Sequence, residues 1–77
     1  MRFFAALREI VGATETGLEL AQGATPEDAF RALAAAHPAL AARRASLAVA
    51  LNRRYARFDA ALCDGDEIVF IPPVSGG

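Results

Sequence analysis

Thr25-Pro26-Glu27-Asp28-Ala29-Phe30-Arg31-Ala32-Leu33-Ala34-Ala35-Ala36-His37-Pro38 carries a helix start, an apolar stripe and a stop. Thr25 offers a capping hydroxyl. Pro26 suits the first helical position, where its missing N–H is no loss. Glu27 and Asp28 put negative charge at the positive end of the helix dipole. Ala29, Phe30, Leu33, Ala36 and His37 then recur at helical spacing. Pro38 disfavours helical geometry at His37, so the helix ends there. The flanks on both sides are strand-like. Upstream, Met1 to Ala5 reads as a short strand with Phe3 and Phe4 on opposite faces, and Ala6 to Val11 as a helical turn closed by Gly12. Thr14 to Ala21 alternates, with Thr16, Leu18 and Leu20 on one face and Glu15, Gly17 and Glu19 on the other. Downstream, Ala39 to Ala45 adds a short helical turn carrying Leu40. Ser46 to Asn52 sets Leu47, Val49 and Leu51 against Ala48 and Ala50. Asn52-Arg53 is a turn, Tyr55 to Phe58 a short edge strand, Asp64-Gly65 a strong turn signal, and Ile68 to Ile71 a last strand. The order β-β-α-β-β-β predicts an α+β roll: a mixed sheet of about four to five strands with one main helix on one face.

One helix covers one face of such a sheet, and the other face should then be polar. In Ile68-Val69-Phe70-Ile71, however, both alternating sets are apolar. Either strands in a small domain are simply hydrophobic, or Val69 and Ile71 mark a surface for a partner.

After Ile71 come Pro72-Pro73-Val74-Ser75-Gly76-Gly77. The prolines have no N–H for a ladder and restrict the direction in which the chain leaves the sheet. Gly76-Gly77 presents a bare α-carboxylate that fits a narrow channel and can be activated at its carbonyl without steric interference. Small residues at a chain end are also common where termini fray. The expected division is a domain over 1–71 and a flexible tail over 72–77.

Ile71-Pro72-Pro73-Val74-Ser75-Gly76-Gly77, with Leu62-Cys63-Asp64-Gly65-Asp66-Glu67-Ile68 before it and Phe3-Phe4-Ala5-Ala6-Leu7-Arg8-Glu9 at the start, resembles the MoaD family, the small sulfur-carrier subunit of molybdopterin synthase. The resemblance implies a β-grasp, ubiquitin-like fold with a first strand a few residues shorter than usual. It implies that Gly77 is adenylated by an ATP-dependent adenylyltransferase resembling ubiquitin-activating enzymes, then converted to a thiocarboxylate. Gly76, Ser75, Val74, Pro73 and Pro72 would present that group. The large subunit of molybdopterin synthase would receive it and transfer the sulfur to a cyclic pyranopterin. Ile71, Val69, Tyr55, Phe4 and Arg8 are the expected partner contacts. No cofactor would be bound permanently, ATP being consumed by the activating partner. A Gly-Gly end is shared with sulfur carriers of thiamine, cysteine or tRNA thiolation pathways and with ubiquitin-like modifiers, so these remain alternatives.

The 77 residues suit one small domain, which buries about 60% of its unfolded surface. A net charge of −1 gives no reason to expect nucleic-acid binding. There is no run of about 18 apolar residues for a membrane span and no secretory-signal pattern, and the single cysteine fits a reducing compartment. A cytoplasmic location is expected. All 8 basic residues are arginine, so no side chain here could accept an isopeptide bond.

Other chemistry-bearing residues have plainer readings. His37 at a helix end reads as a cap or surface residue. Cys63 could relay sulfur but reads as a small, partly buried residue before the turn. One cysteine and one histidine do not make a zinc site of the usual kind. Asp59, Asp64, Asp66 and Glu67 read as solvated turns or a docking patch for a basic partner. Arg43, Arg44, Arg53, Arg54 and Arg57 read as a solvated face. No phosphate loop, activated serine or pair of catalytic acids is present.

Overall fold

Thr25 caps the helix α1 (Pro26–Ala36) in the computed structural model, which describes residues 1–9 and 12–72. The Asp28 N–H donates to Thr25 Oγ1 at 3.3 Å, and the Thr25 N–H donates to the Asp28 carboxylate at 2.9 Å. This is a reciprocal capping box in which Asp28 takes the place usually held by Glu or Gln. Thr25→Ala is expected to cost about 1 kcal/mol in chemical denaturation, leaving the folded fraction functional. An unchanged denaturation midpoint would place the helix start elsewhere. Ala29, Phe30 and Leu33 are buried, but Ala36 and His37 are exposed, so the apolar face is a turn shorter than the spacing implied. His37 is the C-cap, its backbone N–H bonded to the Leu33 carbonyl at 3.0 Å. A 3-10 helix, Pro38–Ser46, follows and carries Leu40 into the core.

Five strands form one sheet: β1 (Arg2–Glu9), β2 (Gly12–Glu19), β3 (Ala48–Leu51), β4 (Arg54–Ala56) and β5 (Glu67–Ile71), in the order β2-β1-β5-β3-β4. β1 and β5 are parallel and the other neighbours antiparallel, which gives the mixed sheet and roll expected of a β-grasp domain. The first strand is not shortened. Ala6 to Glu9, expected as a helical turn, continue β1 because they pair with residues 12–15 of β2, and Ala6 and Leu7 also pair with Val69 and Phe70 of β5. Ladders on both sides outweigh the local helical preference of Ala-Leu-Arg-Glu. Ile10 and Val11 lie outside the described residues. The edge strand β4 ends at Ala56, before Phe58.

Alternation divides the sheet cleanly. Phe3, Leu7, Val49, Ile68 and Phe70 face α1 and fill the core with Phe30, Leu33 and Leu62. Phe70 sits edge-to-face on Phe30, centroids 5.5 Å apart, and stacks on Phe58 at 6.0 Å. Above Phe58 lies Arg44, its guanidinium 3.3 Å from the ring centre and bonded twice to the Glu27 carboxylate through Nε at 3.0 and 3.1 Å. Arg44 is therefore not part of a solvated basic face. It packs between an aromatic ring and the first turn of α1.

The bond from Arg44 holds the Glu27 carboxyl below its ordinary value of 4.5. A lowered folded-state pKa stabilises the domain above the unfolded value, and that contribution is lost as pH falls through the lower folded one. Thermal melts of the parent should therefore weaken with acid below about pH 4.5, and Glu27→Gln should show a shallower slope over that window. Equal slopes would mean that the pair carries no linkage.

Candidate functional site

The side of the sheet away from α1 carries the sequence-predicted contact residues. On β1 these are Phe4 and Arg8, on β5 Val69 and Ile71, and on β4 Tyr55. Val69 pairs with Ala6 on one side and with Ala50 on the other, and Ala50 pairs with Tyr55. Across four strands the row thus reads Ala6, Val69, Ala50, Tyr55. The two alanines are small and buried, so the floor is low at its centre. Val69 and Ile71 are half-buried, and the Tyr55 ring stands 78% exposed at the sheet edge.

The result is a shallow trough of about 510 Å3 with Val69, Ile71 and Ala50 at its base. Arg8, Arg53, Tyr55 and Glu67 line its rim. Four of the five expected contacts meet here. Phe4, 41% exposed, does not join them; it lies toward the start of β1, beside Gly17, and borders a separate depression. Two more residues join the four at the rim: Arg53, which the sequence placed on a solvated face, and Glu67, which it placed in a solvated turn or a docking patch for a basic partner. The signal available for Arg53 was an arginine in the second place of a two-residue turn that opens onto the sheet.

β5 leads from the trough straight to the tail. Its last ladder pair is Ile71 with Ala48, and Pro72 follows, half-buried. Pro73, Val74, Ser75, Gly76 and Gly77 lie outside the described residues.

The acidic residues near β5 have structural duties that the sequence did not reveal. The Asp64 carboxylate accepts the Arg2 N–H at 2.6 Å, and Gly65, at φ 86°, donates its N–H to the Arg2 carbonyl at 2.8 Å. Asp66 accepts the Cys63 N–H at 2.8 Å and the Asn52 side-chain amide at 2.9 Å. These bonds pin the turn before β5 to the start of β1 and to the β3–β4 turn. Cys63 itself is exposed, not partly buried. Among the described residues no group of three or more His, Cys, Asp or Glu side chains is placed to hold a metal ion. No described helix is long and apolar enough to cross a membrane.

The model of the ThiS family matches residues 1–77. The chain belongs to the ThiS family. Among its relatives, the molybdopterin synthase sulfur carrier subunit of Chlamydomonas reinhardtii is 46% identical, over 97% of this chain and 93% of the relative. Small archaeal modifier protein 1 of Haloferax volcanii is 36% identical, over 99% of this chain and 97% of the relative. The crystal structure of SAMP1 from Haloferax volcanii superposes with a TM-score of 0.86 at 30% identity, covering 100% of both chains. This ThiS-family chain has the ubiquitin-like β-grasp fold, as its strand order and that superposition agree.

Proposed function

We propose that this chain is the sulfur-carrier subunit of molybdopterin synthase and that its reactive group is the Gly77 carboxylate. The observation that carries the reading is the 46% identity, over nearly the full length of both chains, to a relative of that name. The apolar trough beside the tail-bearing strand supports it, because a carrier must dock before its tail can enter a partner's pocket.

A carboxylate is a poor electrophile, so sulfur cannot be installed directly. An adenylyltransferase joins Gly77 to AMP from ATP and releases pyrophosphate, and a sulfur donor then displaces AMP to leave a thiocarboxylate. The large synthase subunit takes the tail into the site that holds the pyranopterin. There, enclosure places the sulfur nucleophile against its target and excludes water. Ordering the tail costs about 1–2 kcal/mol per residue, and Pro72 and Pro73 reduce that cost by restricting the free chain.

The test is intact-mass analysis after incubation with ATP, the activating enzyme and sulfide. A carrier gains one sulfur in place of one oxygen. A second reading, a modifier joined to other proteins through Gly77, is favoured by the relative named a small archaeal modifier protein, and it would give higher-mass conjugates instead. Higher-mass conjugates without a sulfur-bearing product would overturn the carrier reading.

The docking face gives a separate expectation. Ile71 is on the outer side of β5, so Ile71→Asp should leave a folded domain with its new charge in water. In the complex that charge would be buried without a partner, costing several kcal/mol of affinity for the large subunit. Calorimetry of the free domain and titration against the large subunit check both halves. A domain that unfolds, or that binds as well as the parent, refutes the assignment of the face.

A further inference from the structure

Asn52 and Arg53 form the two-residue loop between β3 and β4, both with positive φ, 50° and 71°. Turns of this kind favour Asn followed by Gly, because the second residue sits in a left-handed conformation that a side chain makes costly. Asn52 is compensated. Its side-chain amide donates to Asp66 at 2.9 Å, its side-chain carbonyl accepts the Glu67 N–H at 3.0 Å, and its backbone N–H donates to the Glu67 carbonyl at 2.9 Å. Arg53 has no comparable return, since among the described residues its side chain makes neither a hydrogen bond nor an ion pair. It is exposed, and it lines the rim of the outer trough with Arg8. Strained backbone of this sort collects where a site needs it.

We propose that Arg53 is a partner-selecting residue: its guanidinium takes a carboxylate from the protein segment that docks on the trough. This rests on the carrier reading, with the large synthase subunit as the docking protein. The chemistry of the rim decides the class of ligand. Two guanidiniums, Arg8 and Arg53, meet one carboxylate, Glu67, around an apolar floor. A polyphosphate or nucleic acid would meet Glu67 as a like charge and would leave Val69 and Ile71 unused. A protein segment that sets apolar side chains on the floor and an acidic one against the arginines satisfies both parts. Arginine offers a planar fork that a carboxylate can engage with two hydrogen bonds.

The experiment compares the parent with Arg53→Gln and Arg53→Gly, measuring the melting temperature of each free domain and its affinity for the large synthase subunit at low and moderate salt. Arg53→Gln keeps the strained backbone and loses the charge. It should melt near the parent and bind about tenfold more weakly, with a smaller salt dependence. Arg53→Gly loses both charge and strain. It should bind as weakly as Arg53→Gln and melt higher than the parent. Parental affinity in both variants overturns the assignment while leaving the carrier reading intact. An Arg53→Gly domain that melts no higher than Arg53→Gln overturns the claim that a strained backbone is retained for binding. A parent that does not bind the large subunit at all removes the carrier reading, and the role of Arg53 with it.

Discussion

Phe70→Ala should lower the stability of the free domain by about 3–5 kcal/mol. The ring is 0% exposed and has three kinds of neighbour to lose. Phe30 meets it edge-on and Phe58 face-on, at interplanar angles of 79° and 23°. On the sheet, Phe70 pairs with Leu7 on one side and with Val49 on the other. A cavity there cannot close readily, because α1 and both neighbouring strands hold its walls apart. Native domains retain about 5–15 kcal/mol in all, and a domain this small lies toward the lower end. The variant should therefore be substantially unfolded at moderate denaturant, with its midpoint shifted and its slope unchanged. A loss below about 1 kcal/mol would show that the aromatic cluster repacks freely. Its neighbour Ile71 predicts the opposite phenotype, lost binding with the fold kept, so two adjacent residues separate stability from docking.

Extending the chain by one residue beyond Gly77, or removing Gly77, should abolish sulfur transfer and leave the melting temperature within error of the parent. The proposed reaction needs a glycine carboxylate that reaches an activating nucleotide, and an added residue would supply a different carboxyl one step too far along. No stability loss is expected, because the last described ladder pair is at Ile71 and the altered residues follow two prolines. Intact mass for the thiocarboxylate, together with a thermal melt, checks both parts. Sulfur transfer retained by the extended chain would sink the proposed chemistry.

Much of this fold could be read locally. Thr25 and Pro26 announce the start of α1 through chemistry confined to four residues, and the parity of Ile68 to Ile71 assigns core and outer faces correctly. The errors arose where distant partners decide. Ala6 to Glu9 resemble a helical turn until β2 and β5 pair with them. Arg44 resembles a solvated charge until Phe58 and Glu27, from two other segments, close around it. Asp64 and Asp66 resemble a solvated turn, because their acceptance of the Arg2 and Cys63 amides cannot be inferred from spacing. For the candidate site, apolar alternation pointed to Val69 and Ile71, and the structure added Arg53 and Glu67 at the rim while setting Phe4 apart.

The central place of β5 in the sheet has a kinetic consequence. Hairpin β1–β2 lies on one side of it and hairpin β3–β4 on the other, and an isolated hairpin is marginal in water. Neither can join a sheet until β5 arrives, and the contact that seats its turn, Arg2 to Asp64, spans 62 residues. The entropy of closing that long loop falls due before most of the core is rewarded, so folding should be slow for a chain of this length and should have no stable halfway form. A chain cut before β5 should therefore form no stable sheet. A chain that has folded must have β5 in place, so the fold itself proofreads the strand that leads to the tail, though not the residues beyond it.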